Sequence, residues 1–127
     1  MTTTLPPLIE ADIHEMDGAL GEFLKQTDAT TALIIDKGGF MITHQGDARR
    51  FDLTTIAALA SGAYMANETI ANLVHESKFN SVYQQGEKAS MFVNCIDEHC
   101  LLVIIFASKL SVGVIKYFVV SAAERIV

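Results

Sequence analysis

The sequence predicts an α/β (α+β) domain with the element order α-β-β-α-β-β-β-α, and three observations carry that prediction. Two long segments, one starting at Ile9 and one at Leu53, repeat apolar residues at helical spacing. Two short β-favouring runs flank Asp36-Lys37-Gly38-Gly39, which is a hairpin signal. Two more runs, Ser90 to Ile96 and Cys100 to Phe106, are joined only by Asp97-Glu98-His99. Links this tight make neighbouring strands antiparallel. Three helices must then cover the sheet.

The first helix follows Pro6-Pro7. Ile9, Ile13, Met16, Leu20, Phe23 and Leu24 form its apolar stripe, and Glu10, Asp12, Glu15, Asp17 and Glu22 fill the opposite face. Gly18 and Gly21 each weaken it by about 1 kcal/mol relative to Ala, so tertiary packing must hold it. Thr31 to Ile35 and Phe40 to Thr43 are the strands of the first hairpin. Gly46 to Arg50 is a surface loop, and Asp52 is placed to cap a long helix over Leu53 to His75. Asn80 to Gln85 is a polar strand expected at a sheet edge. The run from Cys100 is apolar enough for a strand buried on both sides. Leu110 to Ile126 mixes β-branched residues with apolar i+4 steps, and its length favours a helix.

The middle helix is the most informative element. Ile56, Leu59, Ala63, Ala66, Ile70, Leu73 and Val74 form one apolar stripe, and Ala57, Ala60, Tyr64, Asn67 and Ala71 widen it sideways. The apolar arc spans roughly 200°, about twice what one flat sheet contact needs. The expectation is that one side packs on the chain's own sheet and the small-residue side meets an identical helix across a two-fold axis. Ala57, Ala60, Tyr64, Asn67 and Ala71 are the expected contact residues, with Asn67 fixing register. Alternatively, the chain's own terminal helix fills that side. Ser81 and Tyr83, on the edge strand, would extend the contact by pairing with the same strand of a second chain. A solvated edge blunted by Lys78 and Lys88 is the other possibility.

At 127 residues and 13.8 kDa the chain has the size of one domain. Half of it is apolar and the net charge is −6. That charge argues against sequence-independent nucleic-acid binding, which needs a basic face. The longest uninterrupted apolar run, Cys100 to Ala107, is far short of the roughly 20 residues of a spanning helix, so no membrane insertion is expected. The N-terminus has no signal-peptide pattern, which leaves a cytoplasmic protein as the expectation. Residues 1–7 are expected to be a disordered tail.

No phosphate loop, dinucleotide fingerprint or nucleophile elbow is present. Cys95, His99 and Cys100 lie close together, but C-x₄-C is not a zinc spacing. Free thiols are expected, although the two sulfurs could face each other across the hairpin. His14, His44, His75 and His99 fall in four separate elements. Arg49-Arg50 could reach a partner's phosphates as an arginine finger, or be solvated beside Asp47 and Asp52. Neither catalytic residue, cofactor nor metal site is expected, and the chain is read as a binding protein, not an enzyme.

Taken together, the segment Ala32-Leu33-Ile34-Ile35-Asp36-Lys37-Gly38-Gly39-Phe40-Met41-Ile42, the Ala-rich helix Thr55 to Val74, the strand Cys100 to Ala107 and the closing helix Gly113 to Ile126 resemble the roadblock/dynein light chain family. That family is a branch of the profilin- and longin-like folds, and its bacterial form regulates a polarity GTPase in gliding motility. The resemblance implies a single roadblock-like domain over 8–127 with a five-stranded antiparallel sheet flanked by helices. It also implies a homodimer or heterodimer through the middle helix and the third strand. Its members are non-catalytic partners of small Ras-like GTPases, acting as activating proteins or adaptors. Two other roles stay open: a scaffold subunit of a motor or signalling complex, and a small-molecule sensor with a cavity between sheet and helix.

Overall fold

The computed structural model describes residues 10–126. The tail expected over residues 1–7, and Ile9 with it, lies outside the described residues. The elements are α1 (Glu10–Thr27), β1 (Thr31–Asp36), β2 (Met41–Gly46), α2 (Leu53–Leu73), β3 (Ser81–Gln84), β4 (Ala89–Cys95), β5 (Cys100–Ala107) and α3 (Val112–Ile126). The predicted order holds, and the ambiguous last segment is a helix.

The five strands form one sheet in the order β2-β1-β5-β4-β3, with every neighbouring pair antiparallel. β5 is inserted between β1 and β4, so the two hairpins are joined through the last strand. Thr31 pairs with Ile105 and Asp36 with Cys100 in that junction. β1 and almost all of β5 are buried on both faces, as the unbroken apolar run of β5 requires. β2 and β3 are the edges.

Alternation along the strands splits the core in two. Ile34, Phe92, Leu102, Ile104 and Phe106 meet Met16, Leu20 and Phe23 of α1 and Ile115, Val119 and Ala122 of α3. Leu33, Ile35, Val93, Leu101, Val103 and Ile105 meet α2 on the other face. The terminal helix is therefore on the far side of the sheet from α2 and does not cover it. Arg125 of α3 reaches Glu22 at 3.0 Å and Glu15 at 3.5 Å across the α1–α3 contact. Exposed pairs of this kind add little stability.

Local chemistry sets the ends of α2. The Asp52 carboxylate accepts from the Thr55 backbone N–H at 3.1 Å and from the Thr55 hydroxyl at 2.7 Å. The Thr55 hydroxyl, more than the backbone bonds, holds the Asp52 carboxyl below its ordinary value of 3.8. At the other end His75 has φ +68°, a left-handed residue where Gly is usual. Its N–H donates to the Asn72 carbonyl, and that of Glu76 to the Ala71 carbonyl at 2.8 Å, closing a Schellman turn.

Candidate interaction surface

α2 is pinned to the sheet at three points. The Ser61 hydroxyl donates to the Lys37 carbonyl at 2.6 Å, tying the helix to the β1–β2 turn. Gly39 in that turn has φ +99°, and a Cβ there would lie 3.3 Å from the Ala58 Cα, so only Gly allows the close approach. The Tyr64 hydroxyl donates to the Phe79 carbonyl at 3.0 Å, just ahead of β3. Burial, with the Cys95 thiol beside it, pushes the Tyr64 hydroxyl above its usual range.

These contacts reverse the expected faces of the helix. Ala57, Ala60, Tyr64 and Ala71, expected to face a second chain, are buried, and Ala57, Ala60 and Tyr64 pack on the chain's own sheet. The reason is volume. The strands present Leu33, Ile35, Leu101, Val103 and Ile105, and a helix lies close against such bulk only through small residues. Tyr64 fits because its hydroxyl finds a carbonyl. Asn67 is half-buried at the margin, beside Val82 and Gln84.

The stripe expected on the sheet is the one that faces solvent. Leu59 is 68% exposed, Ile70 48% and Leu73 75%, and Ala63 and Ala66 between them are exposed too. Leu59, Ala63, Ala66, Ile70 and Leu73 follow alternating four- and three-residue steps, the spacing of a helix–helix seam. Met65, on the other flank of the helix's solvent side, is 55% exposed. The spacing was legible in the sequence; the side of the helix that the sheet would claim was not.

A furrow runs along α2 toward β3. One stretch of about 330 Å³ is lined by Phe51, Ile56, Gln84, Met91 and Ile105. Another of about 300 Å³ is lined by Ile56, Leu59, Ala63, Gln84 and Met91. Both flank the helix, and the space beneath it is filled by Ala57, Ala60, Ser61 and Tyr64. β3 closes the furrow as the edge of the sheet. Ser81 is half-buried and Tyr83 38% exposed. The Tyr83 ring stacks on Phe106 at 6.2 Å, so it points to the α1/α3 side, and its backbone is what the edge offers.

The remaining candidates are placed apart. Cys95 packs toward α2 and Cys100 belongs to the α1/α3 core, so the sulfurs lie on opposite faces and do not meet across the hairpin. Burial, with Asp97 and Asp36 nearby, pushes the Cys100 thiol up to about 11. Arg50 leans over the Phe51 ring, 5.4 Å from its centroid, and lies 3.9 Å from Asp47. The Arg49 N–H donates to Asp47 as well. Among the described residues, no group of three or more His, Cys, Asp and Glu side chains is placed to hold a metal ion. No helix among them is long and apolar enough to cross a membrane.

The family model of the Roadblock/LC7 domain matches residues 16–106. The structure of the gliding protein MglB from Thermus thermophilus is 30% identical, with a TM-score of 0.88, covering 96% of this chain and 95% of that one. Myxococcus xanthus MglB is 24% identical, with a TM-score of 0.88, over 96% and 91%. Profilin from Schizosaccharomyces pombe shares the fold at 12% identity and a TM-score of 0.62, over 86% and 94%. No curated protein matches the chain.

Proposed function

The chain belongs to the Roadblock/LC7 domain family, and from that premise we propose that it works in the cytoplasm as a homodimeric, non-catalytic regulator of a small Ras-like GTPase. One observation carries the dimer: a seam of Leu59, Ala63, Ala66, Ile70 and Leu73 lies open to solvent on a helix otherwise anchored to its sheet. Large apolar residues in contiguous exposure mark a protein contact. A second α2 laid antiparallel on the seam covers it, and the furrow toward β3 gives the second helix room. Asn67, at the margin of the seam, sets the register. Ser81 to Gln84 then lie within reach of their copies, and pairing the β3 edges joins two sheets into one.

The partner would dock on this two-chain platform. The protein contributes surface, favouring one arrangement of the GTPase's mobile loops and so shifting their populations. What supports a GTPase over other partners is the family resemblance, whose members partner small Ras-like GTPases; MglB, to which the chain is similar, is a gliding protein.

The experiment pairs Leu59→Glu with an assay of nucleotide hydrolysis and release by a small Ras-like GTPase. Wild-type protein changes one of the two rates. Leu59→Glu stays folded, loses α2 pairing in sedimentation and loses the effect. If wild-type protein leaves both rates unchanged, the chain is a scaffold subunit. If Leu59→Glu still pairs through α2, the seam is not the dimer contact.

A further inference from the structure

Cys95 sits where three parts of the chain meet, and a lysine amine faces its sulfur. The thiol donates to the Asp97 carbonyl at 3.2 Å, in the β4–β5 turn. The Lys78 Nζ, ahead of β3, lies 3.8 Å from the same Sγ. The Tyr64 hydroxyl of α2 also lies beside the thiol. Backbone bonds hold this arrangement. The Cys95 N–H donates to the Asn80 carbonyl at 2.9 Å, and the Tyr64 hydroxyl donates to the Phe79 carbonyl at 3.0 Å. The backbone just after Lys78 is thus tied to both β4 and α2. Lys78 itself is exposed, and among the described residues it is in no salt bridge. Its flexible four-carbon stem can bring the amine onto the sulfur without moving the backbone.

This placement decides the fate of an oxidised Cys95. The sulfur is half-buried, so a small oxidant reaches it. Hydrogen peroxide takes a thiol to a sulfenic acid, which a second thiol or a nitrogen can then capture. No second thiol of the chain is within reach, because the one other cysteine, Cys100, faces the opposite side of the sheet. A nitrogen is within reach, on Lys78. Held in contact with the sulfur, it reacts as though at very high concentration.

We propose that Cys95 and Lys78 form a peroxide-sensitive modification site, in which the oxidised sulfur is captured by the lysine nitrogen as a sulfenamide. In the first step the sulfur attacks the peroxide and the O–O bond breaks. Cys95 becomes a sulfenic acid, and the peroxide is reduced to water. In the second step the Lys78 amine, having given its ammonium proton to solvent, attacks the sulfur. The S–O bond breaks, an S–N bond forms, and the hydroxide leaves as water with a proton from the amine. One peroxide is consumed per link. Two equivalents of a small thiol reverse it, leaving as their disulfide and returning the thiol and the amine. The link closes the chain from 78 to 95 around the β3–β4 hairpin, and so fastens the edge strand to its neighbour. The inference is independent of the GTPase.

Peptide mapping by mass spectrometry tests it, on the full chain treated with hydrogen peroxide at neutral pH. Wild-type protein yields the Lys78 and Cys95 peptides joined, lighter by two hydrogen atoms than their sum, and dithiothreitol separates them. Lys78→Arg keeps the charge but offers no amine. The link then falls about tenfold or more, and Cys95 goes on to sulfinic acid. Cys95→Ser forms no link. Melting temperatures matching wild type before oxidation check that both variants fold. Unfolding the wild-type chain in urea before adding peroxide also cuts the link about tenfold or more, because proximity is lost. Linked wild-type protein melts higher by about 5 °C or more, since the closed loop restricts the unfolded chain. Wild-type Cys95 recovered only as sulfinic acid, or as a disulfide with a second copy, overturns the inference. So does a link that forms as readily in urea. A link that leaves the melting temperature unchanged overturns the fastening of β3.

Discussion

The two faces of the sheet are covered unequally. On one side α1 and α3 lie together over Ile34, Phe92, Leu102, Ile104 and Phe106 and seal them. On the other a single helix, α2, sits on Leu33, Ile35, Leu101 and Val103 and leaves Met91, Val82 and Gln84 half-open or exposed beside it. Two helices suffice for five strands and one does not. The half-covered face also has the more apolar helix exterior. A face that stops short of closure, beside a helix with Leu and Ile turned outward, has the form of an interface missing its other half.

The largest effect that sharpens this contrast comes from the two sides of α2 itself. Ala57→Glu places a carboxylate beneath the helix, where Ala57 is fully buried, and costs on the order of 4 kcal/mol or more. Thermal unfolding checks it, with poor recovery of folded protein as the extreme outcome. Leu59→Glu, two residues on, leaves the unfolding of the chain itself nearly unchanged and alters only its mass in solution. Equal destabilisation by the two would erase the distinction between the faces.

The cysteines report the same asymmetry more gently. Cys95 is half-buried on the α2 side, and Cys100 is buried with its thiol raised to about 11. A thiol reagent at neutral pH therefore modifies Cys95 first, with Cys100 slower by about tenfold or more. Cys100 also fixes a direction with pH. Its raised value favours the protonated thiol in the folded state, so its contribution is whole below the ordinary value of 9.0 and is lost as pH rises toward about 11.

Smaller effects come from the ends of α2. Asp52→Ala lowers the melting temperature by about 2–5 °C at neutral pH. The Asp52 carboxyl is held below 3.8 by Thr55, so its contribution is present above that value and fades as pH falls through the lower, folded one. Wild type and Asp52→Ala therefore converge in acid. Asp52→Asn, an equally good cap, shows no such titration. Least in size is His75→Gly, which relieves a left-handed residue and raises the melting temperature by about 2–4 °C. No rise would mean that the His75 side chain offsets the strain of its backbone.

Much of the molecule was open to inspection in the chain because it depends on neighbours in sequence. The order of elements, the Asp52 cap, the turn at Gly38-Gly39, the buried run of β5 and the spacing of the α2 seam all follow from local chemistry and periodicity. Periodicity states that α2 has two apolar sides. It does not state which one the sheet will claim, because that depends on the bulk of strands far away in the chain. The insertion of β5 between β1 and β4, which builds one sheet from two hairpins, is equally non-local. So is the placing of Cys95 and Cys100 on opposite faces, which alternation decides only once the strand register is set. What the sequence by itself determined is which segments are helix or strand and how greasy each side of them is. What only the tertiary structure decided is which greasy side is spent inside the chain and which is left exposed to solvent, since volume matching between distant residues makes that choice.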